Sequence, residues 1–462
     1  MFFSKRSMWA VLVVLVFLIG DRGVGAEAGE EAPPLEIATF FAEVTPPMGH
    51  PLCGGWIMPV VGVDDPQLAK GVILKQGGDI YVLCSFDWCE LCNDTYDRYR
   101  RVIAEAAGTS ESRVALHAIH QHNALLVDSG VQKLLDQNNL PAAHCDYDFL
   151  DEVAGNLAYA VEQGMKGFRP VTQIGTGKAK VEKVASSRRL LQPDGTMVVR
   201  YSSAKDPKLW EMPEGKIDPW LRTISFYEGE TPLARLHYYA THPQSHYGDG
   251  RTNYEFPGMA RERLEAESGV FQIYFTGCGG DIAAGKYNDG SMERRPILAQ
   301  RLYEGMVKSV SSTTLQPAAK IDWKTANVEF PLRSEEEYSE AHYRNALEAP
   351  ESNATTRIKG ARGLAWIRRV QTNRPIELSR MAIGSVRILH LPGEPMVEFQ
   401  LEAQRVAGED RFTAVAGYGD VGMGYICTAE AYKEGGYEPT ASLIAPKSET
   451  ILKDAIAQLL TE

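Results

Sequence analysis

One pattern recurs along this chain and limits what it can become. Short apolar runs, rich in β-branched and aromatic residues, break off into turns made of Gly, Pro, His or Asp. "DIYVLCSFD" (79–87), "VALHAIHQH" (114–122), "LARLHYYATHP" (233–243) and "VFQIYFTGCGGD" (270–281) read as strands of this kind. "VRILHLPGEP" (386–395) and "FTAVAGYGD" (412–420) repeat the strand-into-turn pattern. Between them, residues 93–108 open on Asn and Asp, carry apolar residues at helical spacing and stop at Gly108. Residues 257–267 form a second helix with Pro257 in its first turn. Strands alternating with helices predict a mixed α/β fold of β-sheets with flanking helices. The polar strand ends then offer a site on a rigid frame. The charged, mostly helical residues 333–380 are expected to form a surface insertion. No internal repeat or long low-complexity tract is evident.

The densest of these ends is "HAIHQHNA" (117–124), with three of the ten histidines of the chain. If residues 114–122 are one strand, side-chain alternation places Val114, Leu116, Ala118, His120 and His122 on one face and His117 on the other. His120 and His122 can then converge on a metal ion or a substrate group, or merely hydrogen-bond within a polar loop. His117 is expected to be a satisfied structural histidine. Other strand ends supply His242, with His246 four residues on, Glu394 on a Pro-Gly turn, and Tyr425 and Tyr437 in a glycine-rich stretch. Each has an ordinary explanation too: a Glu after "PG" suits a helix start, and loop tyrosines usually pack.

Residues 1–26 have the layout of a cleavable signal peptide. Lys5 and Arg6 precede the apolar run Met8–Gly20, and a small-residue end follows at Val24-Gly25-Ala26. The run is shorter than the roughly 20 residues of a membrane span. The expectation is cleavage after Ala26, a secreted or periplasmic protein, a polar linker over 27–35 and one catalytic domain over 36–462. The formal net charge is −12. Removing Lys5, Arg6, Arg22 and Asp21 takes away a net +2 and leaves about −14, a poor match for nucleic acid. The seven cysteines are odd in number, so at least one thiol is unpaired within the chain. Cys89 and Cys92 form the one tight pair. It has no second pair with which to build a zinc ribbon, and a local disulfide or plain packing suits it better than redox chemistry.

Taken in order, the turns resemble those of the neutral ceramidases, the zinc amidases that cleave the N-acyl bond of ceramide. "AEVTPPMGH" (42–50), "ALHAIHQHN" (115–123), "ATHPQS" (240–245), "FTGCGGDIAAG" (275–285) and "LPGEPMVEF" (391–399) match family elements in sequence order. The most specific match is "GYICTAEAYKEGGYEPTAS" (424–442), where Tyr425, Thr428, Glu430, Tyr432, Tyr437, Glu438 and Thr440 fall in register. The resemblance implies zinc held by His120, His242, Glu394 and Tyr425. It places His122 beside the metal, facing substrate or the attacking water, and Tyr437 lining the site to hydrogen-bond a developing oxyanion. Arg188, in "SSRRL", matches a family arginine in looser register. Asp281 is either a partner orienting a histidine or a turn residue. The implied chemistry is sound, since zinc accepts imidazole and carboxylate and makes water nucleophilic near neutral pH. The implied partner is a lipid-like acylated substrate, with transient contact at a membrane surface. No protein partner is implied.

Three departures stand out. Ala283 occupies the position of a family serine, "NALLVDS" (123–129) replaces the family's glycine-rich loop after the histidine pair, and no C-terminal immunoglobulin-like domain is expected. They keep the metal frame and loosen the substrate, including whether the bond cut is amide or ester. Two other functions compete: a non-catalytic secreted binding protein on the same scaffold, and a thiol hydrolase using Cys278 in "TGCGGD".

Overall fold

A computed structural model of the chain describes residues 1–2, 33–141 and 143–461. The expected signal peptide therefore lies almost wholly outside the described residues. The compact unit runs from Pro33 to Glu462. Leu35, assigned from sequence to the polar linker, is instead the first residue of a strand and is buried against the core. Among the described residues no helix is long and apolar enough to cross a membrane.

Three sheets carry the architecture. The first has strands in the order Val114–Ala118, Asp79–Phe86, Leu68–Gln76, Leu35–Glu43 and Arg169–Val171. The second runs Phe271–Thr276, Thr231–Tyr239, Trp220–Glu228, Gln173–Lys180 and Thr314–Pro317. The third runs Ile321–Val328, Ile376–Ile383, Val386–His390 and Phe412–Ala416. Each sheet contains the same unit: an antiparallel hairpin, then a helix, then a strand parallel to the hairpin's second strand. The helices are Asn93–Ala107, Glu255–Ser268 and Val397–Ala407. The parallel pairs are 79–86 with 114–118, 231–239 with 271–276, and 386–390 with 412–416.

This internal repetition of structure has no counterpart in sequence self-similarity. The unit is specified by alternation and turn chemistry, which many residue combinations satisfy. Alternation also builds the core. Val82, Cys84 and Phe86 face a helix-covered cluster, while Tyr81 and Leu83 face a second cluster. That second cluster is shared with Leu236, Phe226 and Ile273 of the second sheet and Ile383, Ile388 and Ala414 of the third. Burying one face of all three sheets in a common core points the ends of their parallel strands toward one region.

Residues 333–380 depart from a plain surface insertion. Ile376–Ile383 is an inner strand of the third sheet. The helix Ala354–Gln371 buries Trp366, and its Arg362 and Arg369 reach inward to Glu90 (2.8 Å) and Asp420 (2.6 Å).

Candidate metal centre

The histidine strand ends earlier than alternation predicts. It stops at Ala118, and His120 has a φ of +71°. A left-handed backbone at a non-glycine residue costs about 1–3 kcal/mol and persists only where its surroundings hold it. Here the His120 N–H donates to the Trp88 carbonyl, Ile119 N–H to Phe86 and Ala118 N–H to Tyr418. His120 and His122 are therefore brought together by a turn and not by a shared strand face. Their rings lie 4.9 Å apart. His117 stays on the strand, and its Nδ1–H donates to the Gly417 carbonyl at 2.6 Å, as a structural histidine should. Burial pushes its pKa down to about 4.

The three sheets deliver one donor group each, just beyond a strand of a parallel pair. His120 follows 114–118, His242 follows 231–239, and Glu394 follows 386–390. His120 Nε2 is 3.1 Å from His242 Nε2, and Glu394 Oε2 is 3.0 Å from the first and 3.2 Å from the second. All three side chains are buried. The segment just after each partner strand, 79–86 or 271–276, supplies the orienting carbonyl. His120 Nδ1–H donates to Cys89 at 3.0 Å, and His242 Nδ1–H donates to Gly279 at 2.6 Å. Carbonyls only accept, so both Nδ1 atoms carry hydrogen, and each ring turns its Nε2 inward, where the neutral form offers a lone pair.

One proton can satisfy one edge of this triangle. Glu394 Oε2 remains buried without a hydrogen bond. A tetrahedral cation with ligands at about 2.0–2.1 Å would set their edges at about 3.3–3.4 Å, close to what is found. Two imidazoles and a carboxylate are a borderline donor set of the kind zinc accepts. The residues therefore fit a metal ion. Burial disfavours charge on both Glu394 and His120, yet each holds the other charged: Glu394 lies well below the usual carboxylate range and His120 is raised. His242 is pushed down to about 4, chiefly by burial.

Tyr425 OH lies 3.3 Å from His242 Nε2, and Arg188 Nη1 lies 3.2 Å from both atoms. Arg188, reached from sequence only by loose register, is thus part of the cluster. Its Nε is 3.2 Å from Glu438, which also binds Arg189 at 3.0 Å. Tyr437 sits at the rim, 38% exposed, with the Arg188 guanidinium over its ring at 5.0 Å. Burial raises its pKa to about 12.

Asp281 does not orient a histidine. Its carboxylate accepts the Val397 N–H at 2.8 Å, at the start of the helix Val397–Ala407, and its backbone carbonyl accepts the Arg188 N–H. Burial lifts its pKa to about 8. His246 bonds Gly290 and Asp249, outside the donor triangle. Cys278 is fully buried, and burial drives its thiol pKa well up, the reverse of an activated nucleophile. The seven cysteines are all free, Cys89 and Cys92 included.

Sequence reasoning missed Tyr418, whose ring stacks on His120 at 4.4 Å and whose φ is +59°. It also gave no role to Glu438, although that residue was in register. "GYGD" was a signal for the first, as an aromatic held between turn glycines. A cleft of about 280 Å³ lined by Tyr96, Arg100, Arg374 and Glu377 shares no residue with the donor triangle.

No family model and no curated protein matches the sequence. Solved structures do match. A crystal structure of neutral ceramidase from Pseudomonas aeruginosa superposes with a TM-score of 0.68 at 14% identity, over 93% of this chain and 75% of that one. A ceramidase complexed with C2 gives the same values. Identity this low speaks to architecture alone, and the architecture of this chain is that of the neutral ceramidases.

Proposed function

We propose that this chain is an exported, zinc-dependent hydrolase of the ceramidase type, cleaving the N-acyl amide of a ceramide-like or related acylated lipid. The observation that carries the reading is the convergence of His120 Nε2, His242 Nε2 and Glu394 Oε2 within 3.0–3.2 Å, with Tyr425 and Arg188 at their edge.

His120, His242 and Glu394 would hold the ion, and the Tyr425 oxygen beside His242 would be available as a further donor. When bound, zinc supplies Lewis acidity and a more acidic water at neutral pH. His122 faces the same space and is kept neutral mainly by burial, so its imidazole is in the form that accepts a proton. It takes the proton as the carbonyl is attacked and returns it to the leaving amine. Arg188 is fixed by Glu438 and stays cationic, so it stabilises negative charge developing on the substrate oxygen. Tyr437 at the rim offers its O–H to that oxygen and its ring to the acyl chain. Asp281 acts at a distance, by anchoring the start of the helix after Glu394.

The test is turnover of N-acylsphingosines beside short N-acyl amines and esters, with chelation abolishing cleavage and zinc restoring it. Ala283 favours a second reading, a binding protein on this scaffold. It is a buried methyl with no hydroxyl to offer. Metal retained with no amide, ester or phosphoester turned over would support that reading and sink the first.

A further inference from the structure

Beside the triangle lies a second cluster of ligating side chains. Cys53 Sγ, Cys89 Sγ and a ring nitrogen of His122 all lie within 4.8 Å of one another. Both thiols are buried, at 6% and 1% exposure. One scaffold segment holds all three donors. Cys53 N–H donates to the Ala124 carbonyl and Cys89 N–H to the Leu125 carbonyl, each at 2.7 Å, so both cysteines are pinned to consecutive peptides just after His122. The turn Cys53–Gly55 that carries Cys53 is closely packed on its far side. A Cβ on Gly55 would stand 2.4 Å from the Ala143 carbonyl, and Gly55 has a φ of +89°.

A second observation points to a ligand. His122 Nδ1 is buried and has no hydrogen-bond partner. A buried imidazole nitrogen left unpaired is costly unless something fills its lone pair or takes its hydrogen. Nothing about Cys53 and Cys89 is explained by the hydrolase reading, which uses only the Cys89 carbonyl.

We propose that Cys53, Cys89 and His122 form a second metal site, for a thiophilic ion of the zinc class. Two thiolates and an imidazole are the softer donor set, and tetrahedral ligation at about 2.3 Å to sulfur and 2.0–2.1 Å to nitrogen asks for donor separations of about 3.5–3.8 Å. The three donors already lie within 4.8 Å of one another, so ligation asks them only to draw closer. A divalent ion enters as two thiol protons leave to solvent, so the site gains no net charge. The binding claim stands independently of the activity proposed above. Its consequence rests on that reading: an imidazole bound to a cation no longer accepts a proton at neutral pH, so a filled second site withdraws His122 from catalysis.

Cobalt(II) titration of the metal-free full-length chain, kept reduced with a phosphine, tests the site directly. Thiolate ligation gives an intense near-ultraviolet sulfur-to-cobalt band, whereas imidazole and carboxylate ligation gives only weak visible bands. The wild type is expected to take two equivalents and show the intense band. His242→Ala keeps that band and loses one equivalent. Cys53→Ser/Cys89→Ser loses the band and one equivalent while keeping the weak visible bands, which also shows that the variant is folded. Absence of the intense band in both the wild type and His242→Ala overturns the proposal. So does a band that survives in Cys53→Ser/Cys89→Ser. Failure of the hydrolase reading leaves these spectra unchanged.

Discussion

His120 Nε2 and His242 Nε2 face each other at 3.1 Å, and each ring has already committed its Nδ1–H to a backbone carbonyl. Two lone pairs meeting a carboxylate in a buried triangle are a poor arrangement for protein alone and a good one for a cation. His120→Ala or His242→Ala is therefore expected to lower bound zinc by about one equivalent per chain, measured by elemental analysis. His117→Ala should leave the metal content unchanged. Full zinc in either of the first two variants would show the ligand set to be wrong.

Zinc that binds only the folded chain must also stabilise it. At a free concentration about 1,000 times the dissociation constant the gain is about 4 kcal/mol. The midpoint of thermal unfolding is expected to rise with added zinc in the wild type, and to rise less in Glu394→Gln, which loses an anionic donor from the triangle.

Glu438 is fully buried between Arg188 and Arg189, at 3.2 and 3.0 Å. Removing one partner of a buried ion pair leaves the other charge uncompensated, at about 3–5 kcal/mol. Glu438→Ala is expected to destabilise by about that much in denaturant titration. It should also lower kcat, because Arg188 loses the carboxylate that fixes it. A loss under about 1 kcal/mol would show that the arginines are held by other contacts.

Asp281→Asn keeps an acceptor for the Val397 N–H and should cost little, whereas Asp281→Ala removes it at about 1–2 kcal/mol. Both should retain zinc. Metal loss in Asp281→Asn at unchanged stability would restore the reading in which this carboxylate orients a ligand.

His237 is buried in the second sheet between Thr223 and Gln272, at 2.9 and 2.8 Å, and burial lowers its pKa to about 4. The unfolded chain titrates near 6.5. A lowered pKa means that the unfolded state binds the proton first, so the stability His237 contributes is intact above about 6.5 and is lost as pH falls toward 4. Unfolding free energies between pH 7 and 4 should fall less steeply in His237→Gln than in the wild type. Equal slopes would show that the proton goes elsewhere.

Much of the site was legible in the chain before any coordinates. His120, His242 and Glu394 stand at the polar ends of apolar runs, whereas Tyr425 lies in a glycine-rich stretch and joins them only through the family resemblance. The separation of His117 from His120 and His122 was also reached, but by the wrong physics. Alternation assumed a strand to residue 122, whereas the chain leaves it at Ala118 and turns through a left-handed His120. No period-2 argument can foresee such a residue, because distant carbonyls from Trp88 and Tyr418 hold that turn.

The sequence by itself determined the mixed α/β class, the strand ends that bear chemistry, and the residue types that a metal would choose. Each depends on contacts within a few residues of chain. Only the tertiary structure decided that three separate hairpin–helix–strand units aim those ends at one point, that Glu438 clamps Arg188, and that Asp281 serves a helix and not a histidine. The same packing set Cys53 beside Cys89 and His122. These pairings join residues far apart in the chain, and they arise from burying three sheets against one core, a condition no local pattern records.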